Sequence, residues 1–518
     1  MLLGMKKARS FKEKFRKEAI MSLDIRNRFV LVTSMLAFLT LVRYCRFAST
    51  AEGVAPSIHA SLQMDSPVLS RSVKAHNLVD GRQNYVIRQA KADTIVSNEL
   101  EPNFGGPLST TRTKDEDAGV GSRALCENGY VYILNVPREF NEQLLKECHK
   151  LKDWSDMCVA LSNAGLGPAM VDEDAFIRTG WYETNQFALE VIFHNKMKQY
   201  DCLTSNSSTA SAIYVPFYAG LEASRTLWNS DIKLRDVVPL KFVEWLQKQP
   251  EWLAHGGHDH FMVGGRITWD FRRKGNGWGN KLLNLSPMQN MTTLVIESST
   301  WDTNDMGIPY PTYFHPSSYS EIETWREKVR SFQRNVLFSF AGGKRKDMPK
   351  LIRGQLIDQC RKSPFCKLLS CDKGACQSPQ PVMKLFEESQ FCLQPQGDSA
   401  TRRSIFDSML AGCIPVFFHP DSYSGYSWHL PKNQSEYSIF ISEDLIRSGD
   451  LTVESVLRRV SSEAIQQMRD KILELIPNFV YADPRMSILE ESTDAFGIAM
   501  KGVLERISEK KRTLAQQF

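Results

Sequence analysis

Short apolar runs recur between residues 126 and 484, and amphipathic stretches of helical length separate them. Each run is bounded by turn residues, as the buried strands of a parallel sheet are. The runs predict strands at 130–134, 212–217, 261–263, 293–297, 336–340, 391–393, 414–418 and 438–441. The amphipathic stretches predict helices at 140–152, 187–197, 240–248, 321–334, 402–411, 453–459 and 463–475. This alternation predicts an α/β fold in which helices cover both faces of parallel sheets.

The predicted strands fall into two sets, and the helix at 321–334 is interpreted as the link between them. We therefore predict two consecutive doubly wound lobes, 125–333 and 334–484, followed by a C-terminal tail or helix over 485–518. Open α/β sheets bind ligands at the carboxyl ends of their strands. The loops of both lobes are thus expected to face one cleft.

The longest uncharged apolar run is residues 29–42, FVLVTSMLAFLTLV, with Arg28 before it and Arg43 after it. As a helix it would span about 21 Å, which is short of a bilayer core of roughly 27–30 Å. A cleaved signal peptide is therefore one interpretation. The long basic region before the run and the arginines after it favour an uncleaved anchor at 29–47. The basic residues 1–28 would stay cytosolic and the C-terminus would face the lumen, which is a type II arrangement.

Residues 48–124 lack sustained periodicity and are interpreted as a flexible stem. The net charge of the 518-residue chain is +5, but residues 1–28 alone carry +6, so the remainder carries −1. A protein that binds nucleic acid through its charge needs a basic surface. The sequence therefore predicts no nucleic-acid partner for the folded part.

Eleven cysteines are present, and Cys45 lies beside the apolar run. The other ten are an even number, which is compatible with disulfides in an oxidising lumen. Four of them, between residues 360 and 376, have C-x5-C-x4-C-x4-C spacing and lack the C-x2-C pairs of zinc sites. A disulfide-stapled loop is favoured there over a metal site, although the pairing does not follow from sequence. Cys392 and Cys413, in or beside predicted strands, are compatible with buried thiols.

A polar loop at 394–401 joins the predicted strand at 391–393 to the helix at 402–411. A helix N-terminus offers unpaired N–H groups and a partial positive charge, which suit a phosphate. Arg402 and Arg403 in the first turn oppose the dipole unless an anion binds beside them. Asp407 could accept hydrogen bonds from a ribose diol. The alternative is an ordinary crossover with solvated arginines, because no standard phosphate motif is matched.

Two further stretches carry candidate chemistry. Gly342-Gly343-Lys344-Arg345 follows a predicted strand, so its backbone and cations could approach a diphosphate, or it could be a basic surface turn. His258-Asp259-His260 precedes the strand at 261–263. Adjacent residues of an extended segment point to opposite faces, so three ligands to one metal ion are not expected there. A buried structural His–Asp pair is the alternative to a catalytic role.

The segments GDSATRRSIFDSMLAGCIPVFF at 397–418 and VLFSFAGGKRKDMPKLIRGQL at 336–356 resemble the exostosin-type glycosyltransferases, glycosyltransferase family 47. The amino-acid sequence of the first segment is similar to those of the plant branch that contains the xyloglucan galactosyltransferases. The resemblance extends from about residue 126 to about residue 484. It implies the GT-B architecture, in which two Rossmann-like lobes face a cleft.

The resemblance implies an inverting transferase of the Golgi membrane that moves galactose from UDP-galactose to xylosyl side chains of xyloglucan, a cell-wall hemicellulose. Its partners would be the donor, the acceptor, the membrane and other Golgi glycosyltransferases. UDP-galacturonate or a UDP-pentose is an alternative donor within the same branch. A non-catalytic Golgi scaffold or glycan-binding partner is the alternative to an enzyme.

The resemblance also implies residue roles. Two loops would hold the donor, with Asp407 at the ribose: Gly342, Gly343, Lys344, Arg345, Gly397, Asp398, Ser399, Thr401, Arg402, Arg403 and Ser404. An inverting single displacement needs a general base, for which the candidates in order are Asp259, His260, His258 and Glu183. Trp181 and Tyr182 could stack on sugar rings or form a small satellite core. No metal is expected to be obligatory, because GT-B enzymes stabilise the leaving diphosphate with helix N-termini and cations.

Four triplets match the N-x-S/T pattern of glycan acceptors, and a luminal location would make them relevant. Their asparagines are Asn206, Asn284, Asn290 and Asn433.

Overall fold

The structure is a computed structural model that describes residues 126–516, apart from 153–155, 171–178, 346–347, 349, 372–373, 377 and 486–493. The predicted cytosolic tail, anchor and stem therefore lie outside the described residues, as does Cys45. Within the described part of the chain, no helix combines the length and apolar character that a membrane span requires.

The first sheet has five parallel strands that lie side by side in chain order. They are β1 (Val131–Ile133), β2 (Ala212–Tyr214), β3 (His260–Val263), β4 (Thr292–Val295) and β5 (Asp305–Gly307). Strands β2 to β4 are buried throughout, which is why they are apolar enough to be recognised in the sequence. The sequence prediction missed β5, because Asp305-Met306-Gly307 contains a single apolar side chain.

The second sheet is also fully parallel, with strand order β10-β9-β8-β6-β7. Its strands are β6 (Val336–Gly342), β7 (Cys366–Ser370), β8 (Ser389–Gln394), β9 (Ile414–Phe417) and β10 (Ile439–Phe440). After β6 the chain adds β7 on one side and then returns to add β8 on the other. The carboxyl ends of β6 and β8 therefore form a topological switch point, where doubly wound sheets bind ligands.

Helices connect the strands of both sheets. The first sheet is accompanied by α1 (Glu142–Lys146), α2 (Met157–Ala160), α3 (Leu189–Met197), α4 (Ala219–Thr226), α5 (Ile232–Leu246) and α6 (Pro250–His255). Helix α7 (Tyr319–Ser331) links the sheets, as predicted. The second sheet is accompanied by α8 (Arg353–Lys362), α9 (Pro379–Glu387), α10 (Arg403–Leu410), α11 (Asp421–Ser424), α12 (Glu443–Ser448), α13 (Val453–Leu457), α14 (Ser462–Glu474) and α15 (Ile476–Phe479), and α16 (Ala495–Ala515) follows.

We call the first sheet with its helices the N-terminal lobe and the second the C-terminal lobe. One apolar cluster of buried side chains runs from Phe261 in β3 through Trp325 in α7 to Phe391 in β8. The indole N–H of Trp325 also donates to the carbonyl of Leu410 at 2.9 Å. The α/β prediction with two parallel sheets is therefore confirmed, and shared packing fixes the two lobes to each other.

Ten cysteines of the described residues form five disulfides: Cys126–Cys202, Cys148–Cys158, Cys360–Cys366, Cys371–Cys376 and Cys392–Cys413. Two disulfides thus close small loops in the cysteine-rich stretch, as predicted. The described residues contain no cluster of His, Cys, Asp or Glu fit to hold a metal. The interpretation of Cys392 and Cys413 as free thiols was wrong. They face each other because β8 and β9 are neighbours.

Helix α16 returns to the N-terminal lobe, although the second sheet precedes it in the chain. Phe496 packs on Phe193 of α3, with ring centroids 4.8 Å apart. Further along, Lys510 Nζ lies 3.2 Å from the hydroxyl of Thr292, the first residue of β4. Lys511 Nζ donates to the carbonyl of Ser211, just before β2, at 3.0 Å. The helix therefore runs along the amino-terminal edge of the first sheet.

Candidate active site

A cleft of about 590 Å³ opens between the two lobes, and both contribute to its walls. Ile267 follows β3 on one side, whereas on the other Ala341 is the next-to-last residue of β6 and Gln394 is the last residue of β8. The cleft thus lies at the carboxyl edges of the sheets and includes the switch point. Its volume is that of a typical small-molecule or cofactor site.

Two loops of the C-terminal lobe meet at this cleft. Arg345, after β6, forms an ion pair with Asp398, after β8. Gly397 gives the guanidinium of Arg402 room beside this pair, because a Cβ at 397 would overlap it and the arginine would have to move. Likewise, a Cβ at Gly342 would lie 2.7 Å from Nη2 of Arg353. The structure therefore brings the two predicted donor loops together, and glycines allow arginines to pack against both.

Four arginines line the C-terminal wall of the cleft: Arg345, Arg353, Arg402 and Arg403. Arg353 was not among the residues predicted from the sequence. Arg353 is the first residue of α8, where a cation opposes the helix dipole. In α10, Arg403 occupies the same position and Arg402 is the N-cap residue. An arginine in the first turn of a helix is therefore the signal that could have identified Arg353. Burial, with a further contribution from nearby Arg402 and Arg345, lowers the pKa of Arg353 to about 10. With a pKa of about 10, Arg353 is still cationic near neutral pH.

The neighbouring lysine does not belong to this wall. Lys344 Nζ is half-exposed and lies 3.3 Å from Asp358 of α8. Lys344 is also not among the residues that line the cleft. Its predicted role as a donor ligand is therefore not supported. By contrast, Asp398, Ser399 and Ser404 do line the cleft, as expected of donor-binding residues.

Arg403 and Asp407 form a partly buried pair in α10. The guanidinium carbon of Arg403 lies 3.5 Å from the ring centroid of Tyr313, and Nη1 donates to the carbonyl of Thr184 in the N-terminal lobe. Its Nε lies 3.2 Å from Oδ2 of Asp407. Burial raises the pKa of Asp407 to about 6, against the opposing effect of Arg403. Asp407 is 3% exposed and does not line the cleft, so the predicted ribose contact is not supported.

Thr401 connects the lobes and is not free to bind a ligand. Its backbone N–H and its hydroxyl both donate to Oε2 of Glu297, at 2.7 and 2.6 Å. The hydroxyl of Tyr310 lies 3.2 Å from the same threonine hydroxyl. Glu297 is buried, two residues beyond β4. The sequence did not reveal its role, because its partner lies 104 residues away.

The predicted acceptor aromatics are part of the core. Trp181 is 2% exposed and its ring centroid lies 4.7 Å from that of Trp325. Tyr182 is 9% exposed and its hydroxyl contacts Asp483 at 3.2 Å. Both side chains are therefore placed in the core, as the satellite-core interpretation expects. Glu183 is exposed but does not line the cleft, whereas Gln186 and Phe187 of the same loop do.

The predicted catalytic triplet lies at the wrong edge of the sheet for a base. His260 begins β3, so Asp259 and His258 precede the amino-terminal end of this strand, while the cleft lies beyond its carboxyl end. Asp259 is buried and accepts from Nδ1 of His260 at 2.8 Å. Burial opposes ionisation, but the hydrogen bond and charge of His260 leave the pKa of Asp259 below its ordinary value. These features are those of the structural His–Asp pair.

The N-terminal wall of the cleft carries a carboxylate that the sequence analysis did not select. Asp270 lines the cleft, and its Oδ2 accepts from Nε of Arg266 at 2.6 Å. Its Oδ1 accepts from the indole N–H of Trp278 at 3.1 Å. Asp270 and Asp398 are the carboxylates among the described cleft-lining residues, and Asp398 is already paired with Arg345. The cleft is thus asymmetric: its C-terminal wall carries four arginines, whereas its N-terminal wall carries Asp270, which is 4% exposed and is held by Arg266 and Trp278.

Residues 125–459 match the Exostosin GT47 domain. The chain belongs to the exostosin GT47 family. It is 52% identical over 398 residues to "Xyloglucan galactosyltransferase MUR3" of Arabidopsis thaliana, an alignment that covers 76% of this chain and 64% of MUR3. It is 45% identical over 428 residues to "Probable xyloglucan galactosyltransferase GT12" of the same plant, covering 79% of this chain and 84% of GT12.

A third relative is named for a different donor sugar. "Xyloglucan-specific galacturonosyltransferase 1" of Arabidopsis thaliana is 41% identical over 392 residues, covering 74% of this chain and 58% of the relative. The chain therefore resembles members of one family whose names share the acceptor and differ in the sugar.

Proposed function

We propose that this member of the GT47 family is an inverting GT-B glycosyltransferase that moves galactose from UDP-galactose to xylosyl side chains of xyloglucan. The observation that carries the proposal is the interlobe cleft, in which the Arg345–Asp398 pair joins two loops at the switch point of the second sheet. The galactosyltransferase names of MUR3 and GT12 supply the donor and acceptor classes.

The donor diphosphate is assigned to the C-terminal wall. Arg345, Arg353 and Arg402 line it, and the helices that begin there, α8 and α10, point their positive ends towards the cleft. Guanidinium groups bind phosphate oxygens in bidentate geometry. As the bond between galactose C1 and the diphosphate breaks, negative charge develops on the leaving UDP, and these groups stabilise it.

The catalytic base is assigned to Asp270. The acceptor hydroxyl oxygen attacks C1 of galactose, the bond from C1 to the diphosphate oxygen breaks on the opposite face, and the hydroxyl proton passes to Asp270. Arg266 and the indole of Trp278 hold the carboxylate in one orientation. The negative charge leaves with UDP towards the arginines of the other wall. No step in this sequence requires a metal ion.

UDP-galacturonate remains the second donor candidate, and one observation favours keeping it. A donor carboxylate needs a cation beyond those that hold the diphosphate, and Arg266 and Arg403 are the two further arginines among the described cleft-lining residues. The galacturonosyltransferase relative has the same acceptor name. Purified protein offered UDP-galactose, UDP-galacturonate and UDP-pentoses with galactose-free xyloglucan decides between them. We expect transfer from UDP-galactose, and failure with every donor under conditions in which MUR3 works would favour a non-catalytic scaffold.

We further propose a Golgi location with a type II topology, anchored by residues 29–47. Ten disulfide-bonded cysteines support a luminal catalytic part, because disulfides persist in oxidising compartments. Of the glycan acceptors, Asn206, Asn284 and Asn433 are exposed, whereas the amide of Asn290 already donates to the carbonyl of Gly256 at 2.8 Å. A protease-protection assay on microsomes tests the topology, and digestion of the C-terminal part without detergent would contradict it.

A further inference from the structure

Two tryptophans stand side by side on the N-terminal wall of the cleft. Trp228 is 65% exposed, and Trp278 is half-buried. Their ring centroids are 6.1 Å apart, and the rings are inclined by 35°. A side chain of this size exposed in a cleft is a candidate binding surface, because its burial by a ligand stabilises a complex strongly.

The loops that carry these rings are tied together. Gly279 N–H donates to the carbonyl of Leu227 at 3.1 Å. Arg235 of α5 bridges the loops as well, donating from Nε to Asn229 at 2.7 Å and from Nη1 to Gly277 at 2.6 Å. The indole N–H of Trp278 is fixed by Asp270. The aromatic pair is therefore held in place before a ligand arrives, which lowers the entropic cost of binding.

The surroundings indicate which ligand fits. The rings form an apolar surface beside Asp270 and Arg266, in the same cleft as the arginines of the C-terminal wall. A pyranose ring has an apolar C–H face and a rim of hydroxyls, so it matches an aromatic surface bordered by a carboxylate and a guanidinium. A nucleotide base could also stack here. However, the cations suited to its diphosphate lie on the opposite wall, which assigns the nucleotide to that wall.

We propose that Trp228 and Trp278 form the acceptor subsite, in which a pyranose ring of the acceptor glycan stacks and presents its hydroxyl to Asp270. This inference rests on the proposed function and deepens it by assigning the acceptor to the N-terminal wall. Trp278 has two tasks, since it orients the carboxylate through its N–H and contacts the sugar through its ring face.

The test measures binding of a galactose-free xyloglucan oligosaccharide by calorimetry in the absence of donor, together with initial rates at saturating UDP-galactose. Trp228→Ala should weaken oligosaccharide binding and raise the acceptor KM by about tenfold or more, while the affinity for UDP stays unchanged. Trp228→Tyr should recover part of the loss, because a smaller aromatic ring still stacks. The matched control is Trp301→Ala, since Trp301 is 86% exposed and lies outside the cleft lining.

Each outcome decides a separate point. Equal oligosaccharide affinity in wild type and Trp228→Ala, or an equal loss in Trp301→Ala, would overturn the subsite. A loss of UDP affinity with unchanged oligosaccharide affinity would assign the pair to the nucleotide base and overturn it too. If the oligosaccharide bound through Trp228 but no UDP-sugar were transferred, the subsite would stand and the proposed function would fail. A wild-type protein that bound no oligosaccharide would overturn both the acceptor subsite and the proposed function.

Discussion

Glu297 of the N-terminal lobe accepts two hydrogen bonds from Thr401 of the C-terminal lobe, through the same carboxylate oxygen. Its other oxygen accepts from the indole N–H of Trp269 at 2.9 Å. Thr401 directly precedes Arg402, the N-cap residue of α10, so this contact sets the position of the cationic wall relative to the other lobe. One buried carboxylate therefore links the two lobes beside the proposed donor site.

Replacing the carboxylate of Glu297 should lower both the stability of the protein and its activity. Glu297→Gln puts an amide N–H₂ group against donors, and we expect a loss of about 1–3 kcal/mol in the free energy of unfolding. Urea denaturation measures this loss, and kcat/KM for UDP-galactose should fall with it. Glu244→Gln is the control, because Glu244 forms an exposed pair with Lys248. A variant as stable and as active as wild type would contradict the proposed role of the contact.

The cationic wall can be tested with neighbouring residues of one loop. Arg345→Ala and Arg402→Ala should each weaken UDP binding by roughly 10- to 100-fold, because each removes charge-assisted hydrogen bonds of about 1.5–3 kcal/mol. Lys344→Ala should leave the Kd for UDP unchanged, since its ammonium pairs with Asp358. Titration calorimetry with UDP gives these constants. Unchanged UDP affinity in Arg345→Ala and Arg402→Ala would show that the donor lies elsewhere, and an equal loss in Lys344→Ala would restore Lys344 as a donor ligand.

The assignment of the base makes two opposite predictions. Asp270→Asn should lower kcat by about 100- to 10,000-fold and leave the Kd for UDP unchanged, because it removes proton transfer and retains the volume. Asp259→Asn should reduce thermal stability but leave the kcat of the folded protein unchanged, because Asp259 lies at the far edge of β3. Steady-state kinetics combined with thermal unfolding distinguishes them. Full turnover in Asp270→Asn would overturn the assignment.

Two buried histidines predict a loss of stability in acid. Burial lowers the pKa of His315 and of His429 to about 4, from an ordinary value of 6.5. The unfolded chain therefore binds protons that the folded protein does not, and stability falls as the pH drops from 6.5 to 4. Each histidine contributes about 1.4 kcal/mol per pH unit inside that window.

Urea denaturation between pH 7 and pH 4 measures this slope. His429→Gln should reduce the slope relative to wild type, whereas the exposed His149→Gln should not. Burial also raises the pKa of Glu387 from 4.5 to about 8. This group therefore makes the folded protein less stable as the pH rises from 4.5 to 8, which opposes the effect of the histidines. Because Glu387 is present in the wild type and in both variants, its contribution is removed when their slopes are compared. Identical slopes in all three proteins would contradict the assignment.

Chelation tests the expectation that the reaction needs no metal. Treatment with EDTA should leave the rate of galactose transfer unchanged, because arginines and helix N-termini are proposed to stabilise the leaving diphosphate. The measurement is the initial rate before and after dialysis against EDTA. Loss of turnover that Mn²⁺ restores would show that a metal takes part.

Among the strands, the sequence predicted those with a continuous apolar run and missed two that lack one. Strand β8 was recognisable because both of its faces are buried. Of the four edge strands, β5 and β7 were missed because their sequences, Asp305-Met306-Gly307 and Cys366-Lys367-Leu368-Leu369-Ser370, lack a continuous apolar run. Helix 140–152 was predicted too long, since a disulfide from Cys148 turns the chain there.

Site residues that depend on long-range contacts could not be predicted in the same way. The loops after β6 and β8 were found because glycines and cations follow a strand directly. Asp270 and Trp278 belong to an irregular segment with no periodic pattern, so their convergence became visible only in the fold. Asp259 was selected for its residue type and neighbours, and only the strand direction shows that it points to the wrong edge.

Helix α16 has a practical consequence, since the last part of the chain completes the first lobe. A fragment ending after α7 would lack the partners that Phe496 and Lys511 provide to Phe193 and Ser211. Neither half of the molecule can therefore be excised as an uninterrupted stretch of sequence without leaving an apolar seam open to water. Shortened variants for crystallisation should keep residues 495–515, and a swap of donor specificity between relatives should exchange loops instead of halves.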